Sequence, residues 1–366
     1  MTTTFTIELG RDALGLGWPD GGRRDYPYIW LRDNDPAAFH PDTQERVGDL
    51  LSVDPNTRAA SASLGDGGLE VAWSDGARSC YALDWLALHG PGYPAPDAAD
   101  LPHVSWRGDL AVPRHDAVAI ATEDAALLAW LRDTVIFGLT IVGGVAAEPG
   151  AGLALAERIG FLRRTNFGID FDVVSKPDPN NLAYTALALP LHTDLANQEL
   201  PPGYQFLHCI ANDAEGGGSV FADGVAMAEA LRQTDPDAFD MLARVPIPFR
   251  FHDRDHDIRV HRPVINLTHG GEVHEIKWNA HLAGIFDMPA EIMPDYYRAY
   301  RAFMALTRDP GFQVRLRLAA GDMAVFDNRR VLHGRDAFDP STGGRRLQGC
   351  YVDRGEVLSR LRVLAR

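Results

Sequence analysis

The chain has 366 residues and 46% hydrophobic content, enough to bury one large core and a smaller one. Its formal net charge of −15, with no block of lysine or arginine, excludes a nucleic-acid partner, because phosphate binding needs a concentrated basic face. No apolar run is long enough to span a bilayer, so no membrane partner is expected.

Met1-Thr2-Thr3-Thr4-Phe5 has neither a charged n-region nor an apolar h-region, so no signal peptide is expected. Residues 1–88 read as a small N-terminal β domain. Leu69 to Trp73 alternates apolar and polar, Ser74-Asp75-Gly76 marks a turn, and Arg78 to Leu83 returns as a strand. Residues 89–104, with Gly90-Pro91-Gly92 and Pro94-Ala95-Pro96, read as a linker. Three widely spaced cysteines, Cys80, Cys209 and Cys350, fit a reducing cytoplasm and not a disulfide framework.

Residues 105–366 read as the larger domain. Thr122 is expected to cap a helix that carries Glu123 and Asp124 in its first turn and Leu127, Leu128, Trp130, Leu131 and Val135 on its apolar face. Ile141-Val142 makes a short strand, and Gly152 to Leu162 a second helix. Further on, short strands alternate with turns, and helices are expected near Asp223–Leu231, Asp237–Ala243 and Ala290–Thr307. A mainly β fold with surface helices follows, with a double-stranded β-helix (jelly roll) as the arrangement that hides its strand edges. The pattern by itself does not separate this from another β sandwich.

The chemistry is concentrated at two places. In Leu189-Pro190-Leu191-His192-Thr193-Asp194 an imidazole and a carboxylate stand two apart, and on a strand they would share a face. Gly321-Asp322-Met323-Ala324-Val325-Phe326-Asp327 reads as a turn and a buried strand, leading to His333 at the end of another apolar strand. His192, Asp194 and His333 form a 2-His-1-carboxylate set, which suits non-heme Fe(II) and leaves coordination positions open. His-x-Asp alone is weak, because short matches arise by chance. Twelve residues beyond His333, Arg345 shares a strand face with Leu347, Gly349 and Tyr351. An inward guanidinium needs an anion, and its fork suits a carboxylate. Arg346, pointing to the opposite face, is the competing anchor.

This set resembles the Fe(II)/2-oxoglutarate dioxygenases of the taurine dioxygenase-like superfamily, and more narrowly the γ-butyrobetaine dioxygenase family. Asn180-Asn181-Leu182-Ala183-Tyr184-Thr185 resembles the family's lead-in strand. Pro202 to Cys209 and Gly216-Gly217-Gly218-Ser219 through Asp223-Gly224 resemble its next strands, while Trp30-Leu31-Arg32-Asp33-Asn34 and Leu83-Asp84-Trp85-Leu86 resemble its N-terminal domain. The resemblance implies that His192, Asp194 and His333 hold Fe(II) and that Arg345 anchors 2-oxoglutarate. It implies a hydroxylase of a small trimethylammonium acid, using dioxygen, with γ-butyrobetaine giving carnitine as the leading reaction. A related betaine or 2-(trimethylamino)ethylphosphonate is the enzymatic alternative, and a non-catalytic jelly-roll binding protein the alternative of another class. A cytoplasmic homodimer is also implied.

A trimethylammonium group cannot donate hydrogen bonds and is held by aromatic faces. The positions matching the family's cage are Phe167, Phe171, Tyr184 and Tyr351. Asn181 and Asn279 match its carboxylate-binding asparagines, and Asn197 is a further anion contact to consider. After Asn279 this chain departs from its relatives, with His281 unusual and Leu282 where arginine is frequent. Relatives also bind zinc in the N-terminal domain through cysteines after the Trp-Leu-Arg-Asp-Asn segment. Here Asp35, Pro36, Ala37, Ala38, Phe39 and His40 follow, with Ala77 in the later hairpin, so no structural zinc is expected. His252, His256, His261, His269 and His274 are irregularly spaced and read as a solvated loop. His208, in an apolar strand, reads as a core residue.

Overall fold

A computed structural model of the chain describes residues 5–175 and 184–366. The backbone forms two compact units, Met1–Asp97 and Ala98–Arg366, whose boundary falls inside the stretch read as a linker.

The first unit has two antiparallel meanders. One is β1 (Thr6–Leu9), β2 (Ala13–Gly17) and β3 (Arg23–Pro27), and the other β4 (Ala59–Gly65), β5 (Gly68–Trp73) and β6 (Arg78–Tyr81). Two short helices follow a strand each, α1 (Tyr28–Asp33) and α2 (Leu83–Leu88). The alternation in β5 buries Leu69, Val71 and Trp73 against Tyr26, Tyr28, Leu31 and Tyr81. Just after α1, Asp35 accepts hydrogen bonds from the Ser79 hydroxyl and from the Ala37 N–H at 2.9 Å, and Ser79 accepts the Trp73 indole N–H at 2.7 Å. A buried carboxylate–hydroxyl–indole tie thus fastens the β5–β6 hairpin to the segment after α1.

The second unit opens with β7 (Arg114–Asp116), α3 (Ala117–Thr122), α4 (Asp124–Phe137), β8 (Leu139–Gly143), α5 (Ala151–Glu157) and β9 (Asp170–Val173). Then come β10 (Leu189–His192), β11 (Tyr204–Asn212), β12 (Glu215–Gly216), β13 (Ser219–Asp223), α6 (Gly224–Thr234) and α7 (Pro236–Arg244). Next are β14 (Ile247–His252), β15 (Asp257–Arg262), β16 (Ile265–Leu267), β17 (Val273–Ile276) and α8 (Met293–Arg308). The chain closes with β18 (Gln313–Leu316), β19 (Met323–Asp327), β20 (Val331–Arg335), β21 (Phe338–Asp339), β22 (Arg345–Val352) and α9 (Arg354–Leu364).

A six-stranded sheet in the order β7-β8-β19-β11-β22-β9 and a four-stranded sheet in the order β10-β20-β13-β18 make the jelly roll. Every pairing in these two sheets is antiparallel except β7 with β8. Phe221 and Val314 from the smaller sheet pack with Cys209, Ala324, Phe326 and Leu347 from the larger one. α4, α5 and α9 cover the outer face of the larger sheet, and α6, α7 and α8 lie over the smaller sheet around Trp278 and Phe303.

Several local readings are corrected. Thr122 closes α3, its hydroxyl donating to the Val118 carbonyl at 2.8 Å, and α4, the helix it is expected to cap, starts after Glu123 with no side-chain cap, whereas Asp116 caps α3 by accepting the Ala119 N–H at 2.8 Å. The helix expected over 152–162 stops at Glu157. Gly160 is needed where a Cβ would stand 2.1 Å from Glu356 Oε2, and Leu162 then bridges to Val352. The histidines read as a loop fall largely on strands, with His252 on β14, His261 on β15 and His274 on β17. Tyr184 and Thr185 lie outside any strand, and the rest of that expected lead-in strand, 180–183, lies outside the described residues.

Candidate metal centre and substrate pocket

β10 and β20 pair so that His192 stands opposite His333. The strand ends at His192, so Asp194 does not reach the imidazoles by strand alternation as the spacing suggested. Thr193 instead donates its N–H to the Trp278 carbonyl at 2.6 Å, and its hydroxyl accepts the Trp278 N–H at 3.1 Å. The chain then turns through Leu195 at φ +55°, a left-handed conformation that a non-glycine residue adopts only when its surroundings enforce it. Asn328 supplies the enforcement: its Oδ1 accepts the Asp194 N–H at 2.7 Å, and its Nδ2 donates to the Asp194 and Pro202 carbonyls at 3.1 and 3.2 Å.

Three donor atoms converge as a result. Asp194 Oδ1 is 3.2 Å from His192 Nε2 and 3.7 Å from His333 Nε2, and the three ligand atoms lie within 4.8 Å of one another. His192 Nδ1 donates to the Pro190 carbonyl at 2.9 Å, which fixes the tautomer and leaves the Nε2 lone pair facing the centre. The Tyr351 hydroxyl donates to Asp194 Oδ2 at 2.7 Å, leaving Oδ1 for the metal side. Burial works to raise the Asp194 carboxyl, but His333, His192 and Tyr351 outweigh it and hold it well below the usual carboxylate range. Burial, then His192, pushes the His333 imidazole down to about 3, so it keeps a lone pair to offer. This donor set fits Fe(II).

The centre opens into a cavity of about 350 Å³ between the sheets. Arg345 lines it. Its guanidinium is buried, its Nε has no partner, and among the described residues no carboxylate pairs with it. Burial lowers its pKa, the mark of a cation that lacks its anion. Arg335 lines the cavity nearby, donating to the Thr185 and Leu187 carbonyls. Burial, then Arg345, brings its pKa down to about 10. Arg346 sits on the other face and pairs with Asp172 at 3.0 Å, half exposed. Of these two neighbouring guanidinia, Arg335 is engaged with backbone carbonyls, and Arg345, with no carboxylate partner among the described residues, suits the distal carboxylate of 2-oxoglutarate.

Of the expected cage, Phe167, Phe171, Tyr184 and Tyr351 all line the cavity, with the Phe171 and Tyr351 rings 5.1 Å apart. Gly349 makes room for them: a Cβ there would stand 2.4 Å from Phe171 Cζ. The three asparagines divide. Asn279 lines the cavity, but its Nδ2 donates to the Thr193 carbonyl at 3.1 Å and its Oδ1 accepts the His281 and Leu282 N–H groups at 3.2 and 3.1 Å. Asn197 is fully buried and is absent from the cavity lining, because the turn after Asp194 carries it into the interior. Asn181 lies outside the described residues.

Sequence reasoning did not place Gln205, Phe251, His252 or the stabilising Asn328 here. Phe251 meets Phe167 edge-on at 5.3 Å. Gln205 is 1% exposed, lines the cavity opposite Tyr351 on the neighbouring strand, and has an unpartnered Oε1. Its signal in the sequence was a lone amide on the face of β11 that also carries Leu207.

Residues 110–351 match the taurine catabolism dioxygenase TauD, TfdA family, and residues 7–87 match the gamma-butyrobetaine hydroxylase-like N-terminal family. The chain is 48% identical to a gamma-butyrobetaine dioxygenase of Pseudomonas sp. (strain AK-1), over 97% of this chain and 94% of that one. It is 30% identical to the Homo sapiens gamma-butyrobetaine dioxygenase, over 97% and 95%, and 30% identical to a mitochondrial trimethyllysine dioxygenase of Gallus gallus, over 98% and 87%. Among solved structures, an asparagine oxygenase bound to Fe(II), 3-hydroxyasparagine and succinate superposes with a TM-score of 0.52 at 18% identity, over 65% of this chain and 93% of that one. That likeness speaks to the fold alone.

Proposed function

This chain belongs to the taurine catabolism dioxygenase TauD, TfdA family and is an Fe(II)/2-oxoglutarate-dependent dioxygenase, and from that premise we propose that it hydroxylates a small trimethylammonium acid, with γ-butyrobetaine as the substrate. The observation that carries the proposal is the Phe171–Tyr351 ring pair, whose tyrosine also hydrogen-bonds the metal-ligand carboxylate. A cation held on those faces would lie beside the Asp194 carboxylate that would hold Fe(II), which is what hydroxylation of a carbon near it requires.

In this reading His192, Asp194 and His333 hold Fe(II), and Arg345 binds the distal carboxylate of 2-oxoglutarate. When bound there, Fe(II) would supply the oxidising chemistry by which 2-oxoglutarate and dioxygen give succinate, carbon dioxide and a hydroxylated substrate. The protein's part is orientation and exclusion. Pro190 fixes the His192 tautomer, Asn328 and Tyr351 fix Asp194, and Leu207, Phe221 and Leu347 keep the cavity between the anchors apolar. The same pocket chemistry accommodates a related betaine or a trimethylammonium phosphonate, so the substrate panel includes both. Three free thiols support a cytoplasmic location, and among the described residues no helix is long and apolar enough to cross a membrane. A homodimer is part of the proposal, and light scattering tests it.

The deciding experiment measures succinate and hydroxylated product with γ-butyrobetaine and the panel, using wild type, His192→Ala and Asp194→Ala. Coupled turnover by wild type, lost in both variants with the fold retained, is the expected outcome. Wild-type protein that consumes 2-oxoglutarate with none of the trimethylammonium acids refutes the proposal.

A further inference from the structure

The cage and the metal account for one end of a trimethylammonium acid, and the carboxylate at the other end also needs a donor. Arg345 is assigned to 2-oxoglutarate, the Asn279 amide is engaged with backbone through its Oδ1 and one Nδ2 hydrogen, and Asn181 lies outside the described residues. Among the described residues the cavity wall also offers His281. Its ring lines the cavity and meets the His192 ring edge-on at 5.3 Å, so it stands within a small molecule's length of the triad. Neither ring nitrogen has a hydrogen-bond partner among the described residues.

The backbone beneath this ring is held on two sides. Asn279 ties it to Thr193, the residue between two metal ligands. On the other side residues 282–284 pair with β14: the Arg250 N–H donates to the Leu282 carbonyl at 2.8 Å, and the Gly284 N–H to the Pro248 carbonyl at 2.7 Å. A loop so fastened at both ends presents its side chain in a fixed place, as recognition requires. Asp194 is the one carboxylate among the described residues lining the cavity, and on the wall bearing His281 the Arg250 guanidinium is paired with Asp257 at 2.8 and 3.0 Å.

We infer that His281 is a specificity-determining residue whose imidazole N–H binds the carboxylate of the substrate. The inference rests on the trimethylammonium-acid reading above. It assigns the anion contact to a residue of this chain's own loop.

The test compares γ-butyrobetaine with its primary amide, which keeps the cation and loses the anion, in wild type, His281→Ala and His281→Gln. For the acid, His281→Ala should lower kcat/KM by roughly 10- to 100-fold, the range of a charge-assisted hydrogen bond. The amide should change by less than about threefold, and His281→Gln, which keeps a donor, should recover part of the acid's loss. Iron content and 2-oxoglutarate affinity, measured in parallel, should stay at the wild-type level. An equal fall for acid and amide, a loss of iron, or an unchanged acid-to-amide ratio overturns the inference while leaving the proposed function standing. Wild-type failure to turn over any trimethylammonium acid overturns both.

Discussion

Tyr351 performs two tasks with separable parts, so two substitutions there should fail in different ways. Its hydroxyl donates to Asp194 Oδ2 at 2.7 Å, and its ring stands 5.1 Å from that of Phe171 at the cavity wall. Tyr351→Phe removes only the hydroxyl. A hydrogen bond to a charged group contributes about 1.5–3 kcal/mol, and loss of a partner that orients a metal ligand weakens the metal by roughly 10- to 100-fold. Tyr351→Leu removes the π face as well, which contributes about 0.5–2 kcal/mol toward a cation, or roughly 2- to 30-fold. Anaerobic Fe(II) titration in the presence of 2-oxoglutarate reads the first effect. The second is read as the preference for γ-butyrobetaine over its neutral tert-butyl isostere at saturating iron. The Phe variant should bind iron more weakly yet keep the preference for the cation, and the Leu variant should lose both. Thermal denaturation checks that the Leu variant is folded. A Phe variant with wild-type iron affinity, or a Leu variant that still discriminates cation from isostere, refutes the double assignment.

Arg345→Met should raise the KM for 2-oxoglutarate by at least roughly 30-fold, since truncating one partner of a buried charge pair costs about 2–5 kcal/mol, with iron affinity unchanged. Because Arg345 has no carboxylate partner in the free protein, the variant should melt no lower than wild type without 2-oxoglutarate, and adding 2-oxoglutarate should no longer raise its Tm. Gly349→Ala, whose new Cβ would stand 2.4 Å from Phe171 Cζ, should displace that ring and erode the cation preference while sparing iron, as the isostere comparison will read. Metal analysis of protein purified without added metal should find no stoichiometric zinc in the N-terminal unit, and a tetrahedral zinc located there by crystallography would contradict this.

Much of the site is legible in the chain because its chemistry demands rare residue types at strand ends. A histidine and an aspartate two apart, a distant histidine after a second apolar run, and an arginine on the next strand narrow the metal and the co-substrate. The alternation along β22 also separates Arg345 from Arg346, since a strand sends neighbouring side chains to opposite faces. The hairpin of β14 and β15 escaped notice because its polar positions carry histidines and charges that read as loop.

By itself, then, the sequence offered a candidate ligand set and anion anchor through residue type and local period, and the aromatic positions through the family resemblance. Tertiary structure alone decided how these groups meet. Asp194 reaches the imidazoles through a turn that Asn328, 134 positions away, holds in place, with Leu195 left-handed. Asn197 is buried away from the cavity that local spacing suggested for it, and the loop bearing His281 is fixed by pairing with a distant hairpin. Each outcome depends on backbone hydrogen bonds between segments far apart in the chain. Such bonds cannot be read from side-chain pattern, because every residue but proline carries the same donor and acceptor.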